Sequence, residues 1–153
     1  MSSNITNVEL FPDQLCIQYL GQMGFLFKFR GSCVLIDAYL SSYVDENCCT
    51  DAVVWRRNYA PPVLPEELGF VDYVFCTHAH EDHADPYTLR ALAAACPKAK
   101  FYAPAPVAAV IAARGIGPER MTGIHSSGSL RLTPDIEVTP VPAAHEQLHT
   151  DAS

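Results

Sequence analysis

Basic residues are scarce in this chain: 10 Lys and Arg stand against 17 Asp and Glu, for a net charge of −7. Gripping a phosphate backbone requires clustered cations, and no basic stripe is present, so nucleic acid is not an expected partner. No apolar run approaches the roughly 20 residues a membrane helix needs. The opening Met1-Ser2-Ser3-Asn4-Ile5-Thr6-Asn7 lacks the basic flank and apolar block of a secretion signal. The expectation is a cytoplasmic protein with no membrane association. A Cys-x-x-Cys pair is also missing. Of the six cysteines, Cys48 and Cys49 are adjacent and read as loop residues, while Cys16, Cys33 and Cys76 fall inside strand-like runs. Reduced thiols are expected rather than a disulfide framework. Internal repeats and low-complexity tracts are absent. What is present is 49% hydrophobic content over 153 residues, enough for one domain with its own core.

Residues 15–20, 25–29 and 33–37 read as three short strands in a meander, punctuated by Gly21, Gly24 and Arg30-Gly31. Residues 41–69 are expected to be a long irregular loop, because Pro61, Pro62 and Pro65 interrupt helix and central strand alike; such loops often border a site. Residues 71–76 are apolar nearly throughout and read as a buried strand. Asp85 and Pro86 signal a helix start, the carboxylate as N-cap and the proline at the first helical position. Leu89, Leu92, Ala93 and Cys96 then repeat at helical spacing until Pro97 stops the helix. A strand at 100–103, a helix at 106–114 closed by Gly115, and strands at 130–132 and 136–141 follow.

Between the strand at 71–76 and the helix at 86 lies Thr77-His78-Ala79-His80-Glu81-Asp82-His83-Ala84-Asp85-Pro86. His78 and His80, two apart, leave an extended backbone on the same side, and Asp82 and His83 follow where the chain must turn. Imidazole nitrogen and carboxylate oxygen suit zinc, manganese or iron, and no nearby thiolate favours a softer ion. Cys76 is read as core. A solvated loop that merely scavenges metal is the bland alternative, against which the four-group spacing weighs.

His78-x-His80-x-Asp82-His83 after a hydrophobic strand resembles the signature of the metallo-β-lactamase fold superfamily of metallohydrolases. Residues 19–27 (Tyr-Leu-Gly-Gln-Met-Gly-Phe-Leu-Phe), 34–41 (Val-Leu-Ile-Asp-Ala-Tyr-Leu-Ser) and Pro142-Ala143-Ala144-His145-Glu146 extend the likeness toward the branch similar to L-ascorbate-6-phosphate lactonase. The resemblance implies an α+β fold, a metallo-β-lactamase-like αββα sandwich of which residues 1–153 would form only the N-terminal half: a mixed β-sheet with helices on one face. It implies two divalent ions, zinc or manganese, one held by His78, His80 and His145 and the second involving Asp82 and His83. The family's later bridging aspartate and last histidine have no counterpart here, Asp151 being too close behind His145. A truncated chain is therefore expected, either half of a longer enzyme or a shortened gene product.

The implied chemistry is hydrolysis of a small-molecule lactone or related ester, of a sugar that is phosphorylated or not, by a metal-activated water. Asp82 is the candidate catalytic residue, orienting that water and relaying its proton. Asp37 falls where the family has an acidic residue that orients the metal-bearing loop by hydrogen bonding; an ordinary strand-end turn former is the alternative. A non-catalytic metal-binding module that needs a partner is the competing function. Trp55-Arg56-Arg57-Asn58-Tyr59 is either an anion-seizing spot on a small substrate or a solvated loop with an aromatic anchor. His125 and His149 match no ligand position. A half-sandwich would leave an apolar face bare, so a homo-oligomer is a further expectation.

Overall fold

The computed structural model describes residues 8–142. Strands β1 (Leu15–Gly21), β2 (Gly24–Phe29) and β3 (Ser32–Ile36) form the expected antiparallel meander. The β2–β3 reversal is made by Arg30 and Gly31, both at positive φ (47° and 77°). That is the pattern of a two-residue hairpin whose twist matches its strands. From β3 the sheet continues in parallel through β4 (Tyr73–Phe75), β5 (Lys100–Pro104) and β6 (Met121–Ile124), giving one six-stranded mixed sheet in the order β1-β2-β3-β4-β5-β6. Strands β7 (Leu130–Thr133) and β8 (Ile136–Val138) pair separately as an antiparallel hairpin.

The parallel steps need crossovers: helix α2 (Pro86–Ala95) joins β4 to β5, helix α3 (Ala105–Ala112) joins β5 to β6, and residues 37–72 make the step from β3 to β4. Leu89 and Leu92 of α2 and Ala108 and Ile111 of α3 share one core cluster with Leu26, Leu35, Val74 and Phe101. Because side chains alternate along a strand, the opposite face of the sheet carries Val34, Phe75 and Tyr102. Against these pack Leu130, Leu132, Ile136 and Val138 of the β7–β8 hairpin. The layers are thus helix, mixed sheet, and a small second sheet, with both crossover helices on one face, as expected. The hairpin does not reach across the whole sheet: Leu15, Ile17 and Tyr19 of β1 are 54%, 56% and 59% exposed.

Three readings are corrected. Residues 41–69 are not wholly irregular, for they contain a third helix, α1 (Tyr43–Asn47), and a 3₁₀ turn, Pro65–Leu68. The prolines fall after α1, and Pro65 begins its turn, where a missing N–H costs nothing. The strand at 71–76 is shorter than its apolar run, and β6 went unread because a four-residue edge strand containing Gly123 has little pattern to read. The helix start holds. Asp85 is fully buried and its carboxylate accepts from the Tyr87 N–H (3.0 Å) and from the Thr88 hydroxyl. Thr88 Oγ1 in turn accepts the N–H of Leu40 (3.0 Å), tying the chain after β3 to the first turn of α2. At the other end of α2, Arg120 donates to the carbonyls of Ala93 (2.8 Å), Cys96 and Ala99 (3.0 Å), satisfying acceptors that a helix end leaves open.

Candidate metal centre

The loop that carries the histidines begins where β4 ends. Cys76 still belongs to the sheet, its N–H donating to Tyr102 (2.9 Å). It is buried in the helix-side core, as expected, and burial pushes its thiol up to about 12. Residues 77–83 are then bends and turns, not extended chain. His83 and Ala84 both donate their N–H groups to the carbonyl of His80 (3.1 and 2.8 Å), closing a tight turn. The imidazoles are gathered by this turn and not by strand alternation. His78 lies with its ring centroid 4.6 Å from that of His80 and 4.0 Å from that of His83.

Asp37 organises the cluster from the end of β3. Only 3% exposed, it holds the uncommon positive φ of 46° and anchors its own N–H on Phe75 (3.0 Å). Its Oδ1 accepts the Thr77 N–H (2.7 Å), while Oδ2 accepts the Thr77 hydroxyl (2.6 Å) and His83 Nδ1 (2.9 Å). With its proton committed to Asp37, Thr77 Oγ1 acts as acceptor for His78 Nδ1 (3.1 Å). Both rings therefore carry Nδ1–H, and in the neutral form of each ring Nε2 holds the lone pair. The Asp37 hydrogen bond pulls the His83 pKa up from its ordinary value. Burial, helped by the neighbouring His83 and His80, pushes that of His78 down and keeps it neutral.

These donors fit a divalent ion chemically. His83 Nε2 stands 3.8 Å from Asp82 Oδ2. Two ligand atoms each about 2.1 Å from a tetrahedral ion would be about 3.4 Å apart, so a shift of a few tenths of an ångström brings this pair into range. Among the described residues, no three His, Cys, Asp or Glu side chains complete a ligand group by themselves. His145, which the resemblance adds to His78 and His80, lies outside the described residues, as do His149 and Asp151. Asp37 thus has the loop-orienting part and is no mere turn former.

The segment after β3 borders this loop. The ring of Tyr43 on α1 meets that of Tyr87 on α2 edge-on at 4.9 Å. The Cys48 thiol is pushed up by burial and then by the nearby carboxylate of Glu81, with Asp82 adding to it. Arg57 is no anion grip: its guanidinium donates to the carbonyls of Tyr39 (2.9 Å), Ser41 (3.3 Å) and Tyr59 (3.1 Å) and lies 4.4 Å over the Tyr39 ring. Of the two readings of that spot, the aromatic-anchored loop is the one the structure supports for Arg57. Sequence reasoning missed Arg114, which donates to the carbonyls of Ala79 and Ala84 in the histidine loop. Nothing local marks an arginine after a helix end as belonging to a loop more than 30 residues away.

A fold with this layering and a histidine loop at the end of a parallel strand defines a class, the metallo-β-lactamase-like α+β proteins. The sequence pattern of the β-lactamase superfamily domain matches residues 33–152, and the chain belongs to that family. Its structure aligns, at a TM-score of 0.55 and 22% identity, with that of a metallo hydrolase from the hyperthermophilic archaeon Ignicoccus hospitalis, over 86% of this chain and 49% of that one. A metal-dependent hydrolase of Caldivirga maquilingensis is 27% identical over 133 residues, 87% of this chain and 50% of that protein. An uncharacterized protein of Mycobacterium tuberculosis is 30% identical over 132 residues, 86% of this chain and 34% of that protein. The chain spans half or less of the length of these curated relatives. Among the described residues, no helix is long and apolar enough to cross a membrane.

Proposed function

We propose that this chain is the metal-loop portion of a metal-dependent hydrolase acting on a small-molecule ester. The observation that carries the reading is the Asp37 network, which engages Nδ1 of His83 directly and Nδ1 of His78 through Thr77, leaving the Nε2 atoms as the ligand nitrogens, with Asp82 beside His83. One divalent ion held by His78 and His80 together with His145, and a second involving Asp82 and His83, would supply Lewis acidity, polarising a carbonyl and lowering the pKa of water. The protein's own part is to fix the ligand tautomers through Asp37 and Thr77. Asp82, the more exposed carboxylate, orients a water and accepts its proton. A second ion, with His145 completing the first site, is part of the same proposal. So are the choice of zinc or manganese and a cytoplasmic setting.

Within this class, a sugar lactone, phosphorylated or not, is the substrate suggested by the likeness to L-ascorbate-6-phosphate lactonase. The incomplete ligand group among the described residues favours a second reading, a metal-binding module that acts only with a partner or further chain. Equilibrium dialysis against Zn²⁺ and Mn²⁺, paired with a lactone-hydrolysis assay, tests both. The hydrolase reading expects metal binding that Asp82→Ala and His78→Ala weaken, with metal-dependent ring opening that Asp82→Ala abolishes. Binding without turnover selects the module, and no binding overturns both.

A further inference from the structure

We infer that Arg114 is a positioning residue for the metal loop, a role that rests on the metal reading above. Its guanidinium donates from Nη2 to the carbonyl of Ala79 (2.7 Å) and from Nη1 to the carbonyl of Ala84, and lies 3.7 Å from Glu81 Oε1. The two carbonyls bracket residues 80–83, so a single rigid planar fork spans both ends of the segment that carries His80, Asp82 and His83. The backbone bonds of His83 and Ala84 to His80 O close the turn within that segment, and neither involves Ala79. Asp37 restrains the loop at the Thr77 N–H and hydroxyl and at the His83 ring; Arg114 restrains it at the main-chain carbonyls of Ala79 and Ala84.

The fork is itself held. Its side chain is 14% exposed. Arg114 donates its N–H to Ile111 (3.0 Å), and Gly115 to Ala112 (3.2 Å), in the turn that ends α3, while Ile111 and Ile116 are buried in the helix-side core. Gly115 takes a φ of 110°, and a Cβ there would press on the Arg90 stem at 3.2 Å. The turn therefore keeps one geometry, which aims Arg114 at the loop. Lysine cannot do the same, since one ammonium lacks the fork that reaches two carbonyls at once.

The test compares wild type, Arg114→Met and Arg114→Lys by amide hydrogen exchange without metal and by Zn²⁺ competition against a chromophoric chelator. In Arg114→Met, exchange at the His83 and Ala84 amides should quicken about tenfold or more while the Leu26 and Val74 amides keep their rates. Zn²⁺ affinity should fall about 10- to 100-fold, as for other supports of a metal ligand, with Arg114→Lys between. Unchanged loop exchange, an equal rise across the whole sheet, or unchanged Zn²⁺ affinity overturns the assignment. If Arg114→Met does not fold, Arg114→Lys decides by the same amides. Loop-specific exchange in a protein whose wild type binds no Zn²⁺ keeps the clamp and removes the metal reading. Zn²⁺ binding by wild type with loop exchange indifferent to position 114 does the reverse.

Discussion

At the ends of β3 and β4, a carboxylate almost wholly removed from water accepts three hydrogen bonds, and a second buried carboxylate, Asp85, accepts two more. At the outer edge of the same sheet, β1 turns Leu15, Ile17 and Tyr19 toward solvent, each more than half exposed. The first region puts carboxylates where water is absent and surrounds their oxygens with donors; the second puts apolar groups where water is present and leaves them there. Burying a polar atom without a partner costs about 1–3 kcal/mol, so the strand-end rim tolerates little change. The β1 face carries no such constraint, since an apolar side chain already in water has little more to lose. Beside it, Leu15, Phe27, Phe29, Val34, Ile36 and Val138 are among the residues lining a cavity of about 340 Å³ between sheet and hairpin.

Substitutions can break or sharpen that contrast. The largest effect is expected at Asp37: alanine there orphans Thr77 and His83 together and should lower stability by about 3 kcal/mol or more in urea unfolding, with loss of Zn²⁺ binding. A loss under 1 kcal/mol would mean the rim is no more constrained than the edge. Next comes Thr88→Val, which strips partners from both Leu40 N–H and Asp85. A loss of about 1–3 kcal/mol is expected, seen as a lowered urea midpoint at unchanged m-value. On the other side, Ile17→Thr should change stability by no more than about 0.5 kcal/mol while reducing binding of an apolar dye. A cost near 2 kcal/mol would show that something covers β1 in solution. The smallest expected difference is chemical. Burial pushes the thiols of Cys33 and Cys76 up to about 12, so at pH 8 both are protonated and iodoacetamide should label exposed Cys49 and spare them.

How much could be read beforehand follows the same divide. The clustering of three histidines within 78–83, the Asp85-Pro86 helix start and the orienting part of Asp37 were legible because each depends on neighbours in the chain or on a motif. The meander was legible because alternation and glycine punctuation are local. The way the imidazoles meet was not, since a reading in extended backbone misses the turn that His83 and Ala84 close on His80. Helix α1 was hidden in a proline-rich stretch whose prolines all lie beyond it. Arg114, Arg57 and Arg120 were opaque for one reason: a guanidinium's worth to the fold depends on which distant carbonyls it meets, and no pattern of residue types announces that.

The left-handed backbone at Asp37 narrows what evolution or a designer can do there. Glycine and asparagine share its conformational liking, yet glycine offers no acceptor, and asparagine has one acceptor oxygen where two are used, so its amide donor would face either the Thr77 N–H or the Thr77 hydroxyl and His83 ring. Glutamate keeps the charge but is poorly suited to the twist. One position thus answers to two independent filters whose overlap holds a single side chain, and other strand-end loops built on this pattern should show aspartate wherever both filters apply.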